Sequence, residues 1–215
     1  MRAAIASFFL RCRGSARTVG GITMGNFTTH ISLLQRLSTG ADAEAWQEFH
    51  DRYGLLIRGM ARRQGLQEAD CDEVVQDVLT ALTQSMPEFT YDPAKGMFRA
   101  YLKTITLRKV FAQQRKRAEF HVPEDELHAV SKDPSIEAMW EAEWRQYHLR
   151  QALRTVEPEF NAVDRAAFQA YAVAGQSASV VAEQLGVSLD QVYQAKSRML
   201  RRLEHVIARQ VVEEG

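Results

Sequence analysis

The 215-residue sequence predicts an all-α protein: two small helical domains joined by a flexible linker, the C-terminal one a helix-turn-helix. Three observations predict it. From about Thr29 onward, apolar residues recur at steps of three and four, the spacing of one helix face. No segment shows the alternation of a half-buried strand. The 12 glycines and 5 prolines are too few for a turn-rich β protein. A hydrophobic content of 46 % is enough to build packed cores and argues against wholesale disorder.

The elements follow in order. Residues 1–28 begin with a basic stretch whose apolar run, Ala3 to Leu10, is cut short by Arg11 and Arg13. That run is too short for a signal peptide, so 1–28 reads as a disordered tail or a mis-assigned start, with Met24 the better start. "ISLLQRLS", 31–38, makes a short amphipathic helix ended by Gly40. Asp42 is the N-cap of the next helix, "AEAWQEFHDRYGLLIRGMARRQ", and Gly65 stops it. Trp46, Phe49, Tyr53, Leu56, Ile57 and Met60 share its inner face. A helix from Glu68 to Met86 follows, with Pro87 beyond it. Acids fill its first turns, where the helix dipole favours them, and Val74, Val75, Val78, Leu79 and Leu82 form its buried stripe. "PEFTYDPAKG" is a loop, and a third long helix runs from Met97 to about Arg117. The first domain is therefore 29–117. Residues 118–134, with Pro123 and Pro134, read as a linker, and 135–215 as the second domain. Its helices are expected near 135–156, 161–174, 178–185 and 189–208.

Net charge is zero, but the charges lie in blocks. Residues 98–118 carry seven Lys/Arg and no acid; residues 119–145 carry eight acids against two bases. Blocks of this kind suggest separate surfaces with separate partners. Cys12 and Cys71 lie far apart and outside any CxxC or Cys/His cluster, so neither a disulfide framework nor a zinc site is expected. Six histidines show no metal-ligand spacing, and no Gly-rich phosphate loop, HExxH or nucleophile elbow is present. No cofactor or metal is implied, catalysis is not expected, and no apolar run is long enough to span a membrane.

The stretch "VVAEQLGVSLDQVYQAKSRMLRRL", 180–203, reads as two helices joined by a sharp turn. Ala182 is small where the second helix packs close. Gly186 tolerates the positive φ of the turn. Val192 faces the core. Ser177 and Ser188 are the expected caps. With Leu189, Val192, Ala195 and Leu203 turned inward, the outward face shows Asp190, Gln191, Gln194, Ser197, Arg198 and Arg201, with Lys196 beside them. Gln and Arg can pair with base edges in the major groove, and Lys and Arg with phosphates.

Three motifs in order resemble the sigma-70 family of bacterial RNA polymerase sigma factors, in its small extracytoplasmic-function subclass. "DAEAWQEFHDRYGLLIRGMARR" is similar to the first helix of region two. "DCDEVVQDVLTAL" is similar to the family's acidic run, and "FRAYLKTITLRKVFAQQRKR" to the helix that opens and reads the minus-ten element. Residues 150–209 resemble region four, which reads the minus-thirty-five element with Ser188, Asp190, Gln191, Gln194, Lys196, Ser197, Arg198 and Arg201 as candidates. The resemblance implies that Asp72, Glu73, Gln76 and Asp77 dock on the clamp coiled coil of the polymerase's largest subunit. Region four would meet the flap of the second-largest subunit. It also implies minus-ten contacts from Phe89, Tyr91, Arg99, Tyr101, Lys103, Arg108 and Lys109, where aromatic and basic residues interleave as single-strand binding requires. The acidic linker would thread toward the polymerase active site. A cytoplasmic protein, possible inhibition by an anti-sigma factor, and no membrane insertion are further implications.

Departures touch the target sequence. Where the family commonly has Thr-Val-Lys-Ser-Arg, this chain has Gln191, Val192, Tyr193, Gln194 and Ala195, and the family's frequent Arg-Asn in the minus-ten helix is Thr106-Leu107. The alternative reading is a stand-alone helix-turn-helix regulator on duplex operator DNA. It accounts for 178–209 but leaves the acidic helix and the aromatic-basic helix without a role. A pure protein-interaction bundle leaves the basic second helix unexplained.

Overall fold

The computed structural model describes residues 30–39, 42–88, 98–117 and 133–214. Among these, every regular element is helical. The elements are α1 (His30–Ser38), α2 (Ala43–Arg63), α3 (Glu68–Ser85) with a 3-10 turn at Met86–Glu88, and α4 (Phe98–Arg117). Then come α5 (Pro134–Val156) with a 3-10 turn at Glu157–Glu159, α6 (Ala162–Ala167) continued by a π-helical turn at Phe168–Val173, α7 (Ala178–Leu185) and α8 (Leu189–Glu214). The helix expected at 161–174 thus changes pitch midway: the N–H of Ala174 donates to the carbonyl of Gln169, five residues back, at 2.8 Å.

Contacts cluster the chain into two compact units that divide at residues 147 and 148, inside α5. Pro134 is the first residue of α5, a position where its missing N–H costs nothing. It therefore marks a helix start, and residues 134–147 cluster with the N-terminal unit.

In that unit, α2 is set by Asp42, whose carboxylate accepts from the N–H of Ala45 at 2.8 Å. Gly65 takes φ 84° just past its end, the left-handed position a glycine fills without steric cost. Phe49, Tyr53, Leu56, Ile57 and Met60 are buried on one face of α2, and Cys71, Val74, Val78 and Leu82 on α3. Phe98, Leu102, Leu107 and Val110 of α4 complete the core with Ile136, Trp140, Trp144 and Tyr147 of α5. Its centre is aromatic. Tyr53 lies 4.7 Å from Phe49 and 5.1 Å from Tyr147 between ring centroids, and Trp144 lies 5.0 Å from Tyr147. Each such pair adds about 0.5–1.5 kcal/mol beyond the area it buries.

The C-terminal unit holds two apolar clusters. Ala152, Val156, Phe168, Met199, Leu203, Val206 and Ile207 form one; Ala167, Ala178, Val181, Ala182, Val192 and Ala195 form the other. The second is built from small residues, which lets α7 and α8 approach closely.

Candidate partner and nucleic-acid interfaces

The turn between α7 and α8 has the geometry its sequence demands. Gly186 is left-handed at φ 65°, ψ 36°. The N–H of Val187 donates to the carbonyl of Ala182 at 3.0 Å and that of Gly186 to Glu183 at 3.3 Å, which closes the end of α7. Ser188 then starts α8: its Oγ accepts from the N–H of Gln191 at 3.2 Å, while Gln191 Oε1 accepts from the N–H of Ser188 at 2.8 Å. This reciprocal capping box uses the Gln191 amide within the helix start. Ser177 Oγ accepts from the N–H of Val180 at 3.4 Å.

Asp190, Gln194, Ser197 and Arg201 are exposed along α8. Arg198 is exposed too, but its guanidinium donates to both carboxylate oxygens of Asp164 at 3.0 Å. Lys196 sits over the ring of Tyr171 at 4.7 Å, and Tyr193 meets the same ring edge-on at 5.6 Å. Leu189 corrects an expectation. It is 47 % exposed rather than turned inward, because it stands in the first turn of α8, before the packed face opens at Val192.

In the N-terminal unit, α3 turns its apolar stripe and Asp70 inward and Glu68, Asp72 and Glu73 outward. Arg58 of α2 bridges Glu68 and Asp72, each at 2.8 Å, and Arg62 also holds Glu68, at 2.7 Å. Hydrogen bonds from Arg62 and Arg58 pull the Glu68 carboxyl down to about 2. Glu73 accepts from the Gln113 amide at 2.7 Å, which ties α3 to α4. Gln76 is exposed and Asp77 half-buried, one turn further along the same helix. The four candidate residues therefore share the solvent side of α3, with Asp72 and Glu73 already engaged by α2 and α4.

On α4, Arg108 is exposed and Lys109 half-buried. The Tyr101 hydroxyl donates to Ser85 Oγ at 2.7 Å, so this ring is fixed against the end of α3. Arg99 pairs with Glu141 and Lys103 with Glu137, both acids on α5, and Arg99 also lies 5.1 Å from the centre of the Trp144 ring. Phe89 and Tyr91 lie outside the described residues, as do the tail at 1–28 and residues 118–132 of the expected linker.

Sequence reasoning passed over Glu137, Glu141, Trp144 and Asp164. Glu137 and Glu141 stand one helical turn apart beside Trp140 and Trp144, so an acidic-aromatic face was visible in the sequence. The Ser-x-x-Gln pattern at 188–191 was equally legible as a capping box. Among the described residues no group of His, Cys, Asp or Glu could hold a metal ion, and no helix is long and apolar enough to cross a membrane.

Among curated proteins no match was found. A solved structure titled "Structure of CnrH in complex with the cytosolic domain of CnrY" is similar at 22 % identity and a TM-score of 0.35. It covers 81 % of this chain and 94 % of its own. The family model described as Sigma-70 region 2 matches residues 49–119. That span begins within α2 and passes through α3 and α4, the stretch that carries both the acidic and the aromatic-basic surfaces, so this part of the chain is similar to region 2 of the sigma-70 family.

Proposed function

We propose that the chain is a sigma factor of the extracytoplasmic-function type, which joins core RNA polymerase and gives it promoter specificity. The observation that carries the reading is the region 2 match over helices whose surfaces suit its two tasks. The outward side of α3 offers Asp72, Glu73, Gln76 and Asp77 to a basic partner, which in this reading is the clamp coiled coil. Opening of the minus-ten element falls to α4 and the loop before it, through Arg99, Tyr101, Lys103, Arg108, Lys109, Phe89 and Tyr91, with rings to stack bases and cations to hold phosphates. The helix-turn-helix of α7 and α8 reads the minus-thirty-five element, with the exposed residues Asp190, Gln194, Ser197 and Arg201 first in line for base edges. Ser188, Gln191, Lys196 and Arg198 set and stiffen that helix while remaining within reach of the phosphates. The protein works in the cytoplasm, assists a reaction that the polymerase performs, and has an anti-sigma factor as a possible inhibitor.

A stand-alone operator-binding regulator has one observation in its favour: the helix-turn-helix belongs to a compact unit with its own apolar clusters. Mobility-shift assays separate the two. A sigma factor binds promoter duplex weakly alone and tightly with core polymerase. A regulator binds its operator equally well with and without core.

A further inference from the structure

From the contacts of α5 we infer that residues 134–147 are an intramolecular cover over the nucleic-acid face of α4, holding Arg99 and Lys103 out of reach of DNA in the free chain. The inference rests on the proposed function in one respect, that α4 is the minus-ten helix.

The cover is built from both ends of the helix face. Glu137 and Glu141 stand one turn apart on α5, as Arg99 and Lys103 do on α4, and they pair in reverse order, so the two helices run antiparallel across the contact. The Lys103 side chain is only 14 % exposed and that of Arg99 only 20 %, low values for cations meant to meet phosphates. Arg99 also lies over the Trp144 ring, 5.1 Å from its centre. A carboxylate pair and an aromatic ring thus occupy the two kinds of contact, phosphate and base face, that a single strand would make with this helix.

What holds the cover down is separate from the acidic pair. Trp140, Trp144 and Tyr147 are buried against the aromatic centre around Tyr53. Glu143 reaches over α2, where its carboxylate accepts from Arg63 at 2.6 Å and lies against Gly59. A Cβ at residue 59 would stand 2.2 Å from Glu143 Oε2, so this seat exists only because residue 59 is glycine. The anchors and the acidic pair can therefore be altered independently.

The test measures binding of dye-labelled oligothymidine to the full chain by fluorescence anisotropy over a salt series. Three variants are compared with the parent: Glu137→Gln/Glu141→Gln, Gly59→Ala, and the control Glu44→Gln/Glu183→Gln, which removes two exposed acids elsewhere. The first should bind about tenfold more tightly at low salt. Its affinity should also fall more steeply with salt, by about 0.7 in log–log slope for each cation freed, or about 1.4 for two. Gly59→Ala should move in the same direction without any change of charge. Equal binding by parent and Glu137→Gln/Glu141→Gln, or an equal gain in the control, overturns the inference. Circular dichroism confirms that each variant is folded, and Gly59→Ala decides the matter if the double variant is not.

Association with core polymerase is measured on the same preparations. Core association without any gain in oligothymidine binding sinks the cover and leaves the sigma reading intact. A gain without core association sinks the sigma reading and leaves the cover.

Discussion

Two glycines on α2 give a matched pair of substitutions with different expected outcomes. Gly54 and Gly59 both lie inside the helix, so alanine at either one should gain about 1 kcal/mol of helix propensity. At residue 54 the nearest atoms to a Cβ would be those of the His50 ring, at 3.4 Å or more, and that ring is half exposed and can turn. Gly54→Ala is therefore expected to stabilise by about 0.5–1 kcal/mol. At residue 59 the same atom would lie 2.2 Å from Glu143 Oε2 and 2.6 Å from its Cδ. The carboxylate must move, and it is only 10 % exposed where it sits. Arg63 is 41 % exposed, so the ion pair itself contributes little, about 0–1 kcal/mol. The larger loss is a buried carboxylate without its donor, about 1–3 kcal/mol. That outweighs the propensity gain, and Gly59→Ala should be neutral to about 2 kcal/mol destabilised. The propensity term is common to both, so the difference between the two variants isolates the seat of Glu143. Urea denaturation followed by tryptophan fluorescence reads this unit alone, because Trp46, Trp140 and Trp144 all belong to it. If Gly59→Ala stabilises as much as Gly54→Ala, the proposed docking of α5 on α2 is wrong.

Four further outcomes follow from other sites in the two units. Gly186→Ala meets no atom within 4 Å, so its cost is the left-handed backbone alone, about 1–2 kcal/mol, with Gly186→Asn costing less; thermal unfolding of the C-terminal unit should show that order. Asp164→Ala removes both the acceptor for Arg198 and the partner of Asn161 at the start of α6, and should destabilise by about 1–3 kcal/mol. If Arg198 served only DNA, Arg198→Ala would leave stability unchanged; a lowered midpoint is expected. Glu68 has its folded-state pKa depressed, so its pairing stabilises the fold fully above its ordinary value of 4.5, and that contribution is lost as pH falls toward about 2. Glu68→Gln should therefore flatten the acid side of the stability profile, and an unchanged profile would refute the pairing with Arg58 and Arg62.

The helices were legible because their causes are local. Asp42, Gly65, Ser177, Gly186 and Ser188 punctuate the chain within a few residues of what they control, and three-and-four spacing marks each inner face. The helix-turn-helix was readable from Ala182, Gly186 and Val192 for the same reason. What could not be read was which charge meets which. Arg198 looks like one more basic residue on an outward face until Asp164 is brought beneath it from 34 positions away. Arg99 and Lys103 read as ligands for phosphate until α5 lays its acids across them. Periodicity shows that α5 has an apolar face, through Ile136, Trp140, Trp144 and Tyr147, but not what that face packs on. A proline at 134 suggested a boundary there, although the same residue is well placed at the start of a helix. Leu189 was misjudged because periodicity extends one turn beyond the packed surface.

The central claim, that this chain is a polymerase subunit, is tested most directly by size-exclusion chromatography of the full chain with bacterial core RNA polymerase, beside the variant Gln76→Ala/Asp77→Ala. The account predicts stable co-migration of the parent chain and weaker co-migration of the variant, with both proteins equally helical by circular dichroism. A folded parent chain that elutes apart from core polymerase would contradict it, and would leave the helix-turn-helix regulator as the account to pursue.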